Sequence, residues 1–223
     1  MMINQYFNEN QAKLLEYIIK RKKAGRDDLP PIQELSENLG MSVPTLREQI
    51  EALKILGILD ARPRHGVHIK PVDFSAGLKQ NAIIAASMDL KYFFQLSEFR
   101  DRLEQAWFIN AAERLTAQDI CDLEQDVINA NAKLQGNPIQ IPHPEHKELH
   151  LSIYKRLDNL FVTGILNTYW TLYEAVGMNL YTDLKYQNTV WQYHERIVAA
   201  IKEKDFDQGQ FLLGEHMKLI YKR

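Results

Sequence analysis

Histidines offer the most chemistry in this 223-residue chain, and five of the seven lie in its second half. His146 and His150 are four apart, so on a helix they share one face, a standard way of presenting two imidazoles to one metal ion. His194 and His216 fall on consecutive predicted helices that turn near Lys204, 10 residues before the turn and 12 after it. With about 1.5 Å of rise per residue, an antiparallel hairpin brings them to within roughly 3 Å in height. Two pairs of imidazoles can therefore converge inside one helical bundle. Nitrogen donors of this kind favour zinc, nickel, copper or cobalt over magnesium or calcium. Three histidines with an open position could also activate water. A metal-responsive protein and a metalloenzyme thus both stay open on the histidines alone, although no general base is obvious beyond Glu148 and Glu195, which adjoin them in sequence. His143, ahead of Pro144 and outside the predicted helix, reads as incidental or as an outer neighbour.

The elements that must carry these residues are helical from about residue 76 onward. Candidate helices span 76–87, 89–115, 117–135, 145–157, 159–184, 188–203 and 206–222, with breaks at Gly136-Asn137-Pro138, His143-Pro144, Leu157-Asp158-Asn159 and Lys204-Asp205. No long run alternates with period two, so the expectation is an all-α bundle of six to seven helices. Tyr169, Trp170, Tyr173, Tyr181 and Trp191 recur at helical spacing and read as core.

The N-terminal third has a different pattern. Residues 8–24 read as an amphipathic helix with Leu14, Leu15, Ile18 and Ile19 as its apolar stripe and Gly25 as its stop. Residues 27–31 read as a loop, with Pro31 opening a short helix that Gly40 ends. Ser42 caps a longer helix bearing Leu46, Ile50, Leu53 and Leu56. Helix, glycine-containing turn and second helix form a helix-turn-helix. Two strand-like runs follow, 58–62 and 67–70, around the basic turn Arg62-Pro63-Arg64-His65-Gly66, a wing. The second helix of such a pair enters the major groove by its N-terminal residues, here Ser42, Pro44, Thr45 and Arg47. Arg47 can fork to guanine or phosphate, and Thr45 can bond phosphate or touch a thymine methyl. Arg62, Arg64, His65 and Gly66 make a tip suited to a narrow minor groove.

Bulk properties agree with two small units. Net charge is −2 overall. Residues 1–72 carry 11 lysines and arginines against 9 acidic residues, and the remainder carries 16 against 20, so a basic head precedes an acidic body. Cys121 is the only cysteine, which excludes an intrachain disulfide and suits the cytoplasm. The N-terminus lacks a signal-peptide pattern, and no apolar run approaches the roughly 20 residues needed to span a bilayer. The division expected is a winged helix over 1–72, a linker over 73–77 and a helical domain over 78–223.

Leu29-Pro30-Pro31-Ile32-Gln33-Glu34-Leu35, Leu39-Gly40-Met41-Ser42, Leu46-Arg47-Glu48, Leu53, Gly57 and Arg62-Pro63-Arg64-His65-Gly66 together resemble the GntR winged helix. Most members have arginine where this chain has Gln33 and Val43, and the usual Thr-Pro pair stands here as Pro44-Thr45. An atypical operator or weaker binding is implied, with Arg47 and the wing carrying more of the contact. Residues 90–220 resemble the FCD effector domain of the FadR-type branch, in its shorter, metal-containing VanR-like group. Arg100-Asp101-Arg102-Leu103-Glu104 with Ala111-Ala112-Glu113 is similar to its opening helix. His146-Lys147-Glu148-Leu149-His150 with Leu157-Asp158-Asn159 is similar to its central segment, and His194-Glu195-Arg196-Ile197 with His216 to its closing hairpin. The resemblance implies a transcription regulator, a repressor rather than an enzyme. It would act as a homodimer on a palindromic operator, with a small carboxylate effector beside a metal held by one Asp and three His. His150, His194 and His216 stand at the three histidine positions, and His146 stands where the family has Asp. Arg100 is implied as the carboxylate clamp, its other reading being an exposed ion pair with Glu104.

Overall fold

The structure, a computed structural model, describes residues 5–62, 65–180 and 183–222. Pro63, Arg64 and Tyr181 lie outside the described residues. The chain divides into two compact units, Met1–Gly77 and Leu78–Arg223.

The first unit opens with α1 (Glu9–Lys23), capped by Asn8, whose side chain accepts from Gln11 N while the Gln11 side chain answers to the Asn8 backbone. That reciprocal box satisfies two amide donors the helix cannot pair internally. Ala12, Leu14, Leu15 and Ile18 are buried. Ile19, expected on the same stripe, is 38% exposed, because consecutive helical residues point about 100° apart and Ile18 takes the inward direction. The helix-turn-helix consists of α2 (Ile32–Leu39) and α3 (Val43–Ile55), joined by Gly40, Met41 and Ser42. Gly40 takes a left-handed conformation (φ 62°), which a glycine reaches without steric cost. Leu46, Ile50 and Leu53 pack inward from α3, whereas Leu56, placed on that stripe by spacing, falls at the helix end and is exposed.

Residues 27–31, expected to be a loop, contain a short strand. β1 (Asp28–Leu29) pairs antiparallel with β3 (Gly66–Ile69), which also pairs antiparallel with β2 (Leu59–Arg62), giving the order β1-β3-β2. Asp28 and Asp60 both face His68 across the ladders. Too short to show alternation, β1 forms because Leu29 is buried with Leu59 and Ile69 in the unit's core.

The second unit is all-helical among the described residues. α4 (Ser75–Met88), whose first residues belong to the first unit, is followed by α5 (Lys91–Ala112), α6 (Ala117–Gln135), α7 (His143–Tyr154), α8 (Leu160–Ala175), α9 (Leu184–Glu203) and α10 (Phe206–Met217). Several helix bounds differ from expectation, three of them near the site. The predicted 159–184 helix stops at Ala175, where Gly177 turns to φ 76°. Asp183 caps α9, so that helix starts before residue 188. α7 starts at His143 rather than 145, because Pro144 in the first turn costs no hydrogen bond; His143 is therefore helical.

Two apolar clusters fill this unit. One contains Phe108, Leu123, Leu149, Ile153, Trp191 and Leu213, the other Phe93, Tyr169, Trp170 and Tyr173. Gly209 of α10 shows how tightly α5 and α10 meet: a Cβ there would stand 2.8 Å from Cε1 and 2.9 Å from Cζ of the fully buried Phe108 ring. In Gly209→Ala, a helix-propensity gain of about 1 kcal/mol opposes an overpacking cost of about 1–3 kcal/mol. The expected outcome is a net loss near 1 kcal/mol, which lowers the thermal midpoint by about 2–4 °C. A midpoint unchanged or raised in a melting curve would mean that the Phe108 ring gives way freely.

Candidate metal centre and DNA-contacting surface

Four of the five histidines of the second half come together from three helices. His146 and His150 come from α7, His194 from α9 and His216 from α10. The α9–α10 turn aligns the last two. Lys204 ends α9 in a left-handed conformation (φ 61°), and Asp205 caps α10 by accepting from Gln208 N. The helix heights counted from sequence then coincide, and His194 Nε2 lies 3.2 Å from His216 Nε2. His150 Nε2 completes a triangle, 3.2 Å from His216 Nε2 and 3.3 Å from His194 Nε2. His146 joins them: one ligand atom from each of the four residues can be chosen so that all lie within 4.8 Å of one another. Its ring meets both apolar clusters, 4.9 Å from Trp170 and 6.3 Å from Trp191 between centroids.

These separations fit one ion. Neighbouring donors on an ion with bonds of about 2.0–2.1 Å lie about 3.0 Å apart at right angles and about 3.4 Å apart at the tetrahedral angle. The observed triangle falls between those values. Proton sharing satisfies such a triangle poorly, since one hydrogen bridges only one pair of nitrogens at a time, whereas a cation engages all three lone pairs. His146 Nε2 is buried with no hydrogen-bond partner among the described residues, a donor atom left for the same purpose. His150, His194 and His216 are almost wholly excluded from solvent. Burial first, then the neighbouring imidazoles and Arg100, pushes His146, His194 and His216 well below the usual histidine range. His150 is lowered by burial as well, against the opposing pull of Glu104. All four are neutral near pH 7, the form that binds metal.

Glu104 is the residue the sequence reading passed over. On α5 it is fully buried, and its Oε2 lies 2.8 Å from His150 Nδ1. Nδ1–H donating to that carboxylate fixes the tautomer whose Nε2 lone pair faces the cluster, an orientation that partners of metal-binding histidines commonly enforce. Burial pushes the Glu104 carboxyl up, but Arg100 and His150 more than offset it, and it stays ionised. A signal was present. Phe93, Ser97, Arg100, Glu104, Phe108 and Ala111 form the buried stripe of α5, and two charges in the middle of a core stripe break the pattern where function is expected.

Arg100 makes the ion pair with Glu104 through Nε, but in the interior rather than at the surface, at 5% exposure. Its guanidinium lies 4.4 Å from the Tyr169 ring centre and 5.3 Å from that of Trp170. Nη2 is 2.9 Å from His150 Nδ1 and 3.3 Å from His150 Nε2. A donor aligned with one nitrogen's lone pair would be far from the other, so Arg100 covers the imidazole face and leaves Nδ1 to Glu104. Beside it is a cavity of about 20 Å³, walled by Arg100, His146, His216, Tyr169, Tyr173 and Met217 among others. Tyr169 and Tyr173, read as core, are buried and also line this space. The much larger groove between α5 and α10, about 930 Å³, is lined by Glu98, Asp101, Asp207 and Glu215 and by none of the histidines. Of the two, only the small cavity is bordered by histidines. His143 stays outside the cluster, its ring stacked on Tyr173 and its Nε2 3.1 Å from Glu174 Oε1.

In the first unit, Ser42 caps α3 by accepting from Thr45 N, and the two hydroxyls lie 2.8 Å apart. Pro44 is in the first helical turn. Arg47 is exposed, with no hydrogen bond or ion pair among the described residues. Arg62 is exposed and paired with Asp60 at 2.8 Å. Gly66 takes φ 76° at the wing turn, with nothing among the described residues within 4 Å of a Cβ built there. His65 lends its carbonyl oxygen to His68 Nε2 at 2.8 Å. Arg64, the other wing-tip candidate, lies outside the described residues.

Comparison with known proteins agrees with this division. Residues 10–69 match the family described as bacterial regulatory proteins, gntR family, and residues 95–219 match the FCD domain. The chain is 22% identical over 222 residues to the Uxu operon transcriptional regulator of Escherichia coli, covering 97% of this chain and 86% of that one. It is also 22% identical to the uncharacterized HTH-type transcriptional regulator YcbG of Bacillus subtilis, covering 93% and 87%. Among solved structures, Streptococcus agalactiae GntR superposes with a TM-score of 0.65 at 21% identity, over 99% of both chains. No described helix is long and apolar enough to cross a membrane. With the winged helix and the FCD domain matched in order along one chain, the protein belongs to the GntR family of DNA-binding transcriptional regulators that carry an FCD effector-binding domain.

Proposed function

We propose that this protein is a repressor that binds a palindromic operator as a homodimer. Its control would come from a small carboxylate effector, bound between Arg100 and a divalent transition ion, zinc or nickel, on His146, His150, His194 and His216. The observation that carries the effector half is the buried imidazole cluster with Glu104 behind it and Arg100 beside it. Of the five N–H donors of Arg100, only Nε is spent on Glu104, which leaves donors for an anion at the cavity. The ion, when bound, supplies a positive centre for one carboxylate oxygen. The protein's own residues orient that ligand and exclude water. Effector occupancy then shifts the population of DNA-competent dimers.

On the DNA side, Ser42, Pro44, Thr45 and Arg47 of α3 would meet the major groove, and Arg62, Arg64, His65 and Gly66 the adjoining backbone or minor groove. Arg47→Ala is expected to weaken binding to the region upstream of the protein's own gene by about 1–3 kcal/mol, roughly 5- to 150-fold, in a fluorescence anisotropy titration. Full affinity in that variant would remove Arg47 from the interface, and no binding by the parent protein even at low salt would refute operator recognition there.

The cavity favours one other reading. At about 20 Å³ it is small, which suits a regulator whose signal is the metal itself. The same titration separates the two. DNA affinity that responds to zinc or nickel but to no carboxylate supports the metal as signal, and a response to carboxylate at constant metal supports the effector.

A further inference from the structure

We infer that His146 makes metal and anion binding interdependent: with imidazoles alone as donors, the ion keeps its full charge, and an anion in the adjoining cavity is needed for tight metal binding. This inference rests on the metal reading above. The donor set contains no carboxylate. Glu104, the acidic group within hydrogen-bond reach of the cluster, is committed to His150 Nδ1 and to Arg100. Its charge and that of Arg100 cancel, and four neutral imidazoles leave a divalent ion at +2 in a site closed to solvent. Transfer of such a charge from water is costly unless it is paired. The cavity touches His146, His216 and Arg100 together, so an anion there would face the ion and the guanidinium at once. Where His146 stands, an aspartate would bring one negative charge into the donor set and lessen the need for an outside anion. The same histidine also makes the donors all-nitrogen, which disfavours manganese relative to zinc.

The test measures zinc affinity by competition with a chromophoric chelator, with sodium formate replacing sodium perchlorate at constant ionic strength. Formate is the probe because it is the smallest carboxylate. For the parent protein, saturating formate is expected to tighten zinc binding by about 10-fold or more, within the usual range of coupling between two sites. His146→Asp should bind zinc more tightly than the parent without formate, respond to formate by less than about 3-fold, and narrow the preference for zinc over manganese. His146→Ala should weaken zinc binding yet keep the formate response; if it binds zinc as the parent does, His146 is no ligand and the inference fails. Zinc bound by the parent with an affinity indifferent to formate overturns the coupling and leaves the metal reading standing. No zinc bound under any condition overturns both.

Discussion

His216→Ala, or equally His194→Ala, is expected to lower affinity for zinc or nickel by at least about 100-fold, since loss of a residue that merely orients a ligand costs about 10–100-fold. Each of these residues supplies one corner of the Nε2 triangle, and two corners with His146 cannot enclose an ion in the same way. After incubation with metal and dialysis, elemental analysis should find about one ion per parent chain and close to none in the variant. Thermal melting gives a second reading. A ligand at 100 times its dissociation constant stabilises the folded form by about 2.7 kcal/mol, so metal should raise the transition of the parent's helical unit by several degrees and leave the variant's unmoved. The metal-free variant should not collapse. Truncating a buried side chain to alanine costs about 2–5 kcal/mol, but His194 Nδ1 and His216 Nδ1 are buried without a hydrogen-bond partner, and removing one returns about 1–3 kcal/mol. One ion retained per chain in both variants would mean that the triangle is a packing feature and not a binding site.

How much of this was legible beforehand divides by physical cause. The helix-turn-helix, the wing and the bundle follow from periodicity and from stop signals at Gly25, Gly40 and Gly57, which act locally. The meeting of His194 with His216 was also readable, because two uninterrupted helices about a single turn make height a matter of counting. What could not be read depends on partners distant in sequence. β1 exists only because β3 lies beside it, and a two-residue strand has no periodicity to detect. Glu104 is 46 residues from His150, and nothing local distinguishes a buried i, i+4 ion pair from an exposed one except the apolar residues at its flanks. The family resemblance located Arg100 without revealing that its partner shapes the histidine tautomer.

That partner is the site of the second large effect. Glu104→Ala is expected to destabilise the helical unit by about 3–5 kcal/mol, the cost of leaving one member of a buried ion pair uncompensated, because Arg100 remains a cation in the interior. The pH dependence follows in sign. The Glu104 carboxyl is held below its ordinary value in the folded protein, so its contribution is complete above the unfolded-chain value, about 4.3, and is lost as pH falls through the folded value. The variant should therefore lose part of the parent's acid sensitivity in denaturation midpoints measured from neutral pH to pH 3. A structural role alone predicts that the paired replacement Arg100→Met with Glu104→Leu restores everything, since apolar substitutes for a buried ion pair are often neutral or stabilising. The geometry predicts a split instead. The double variant should recover most of the stability while its zinc affinity stays about 10–100-fold below the parent's, because His150 Nδ1 has lost the acceptor that orients it. Recovery of both properties together would reduce Glu104 to a counterion for Arg100 and remove it from the metal centre.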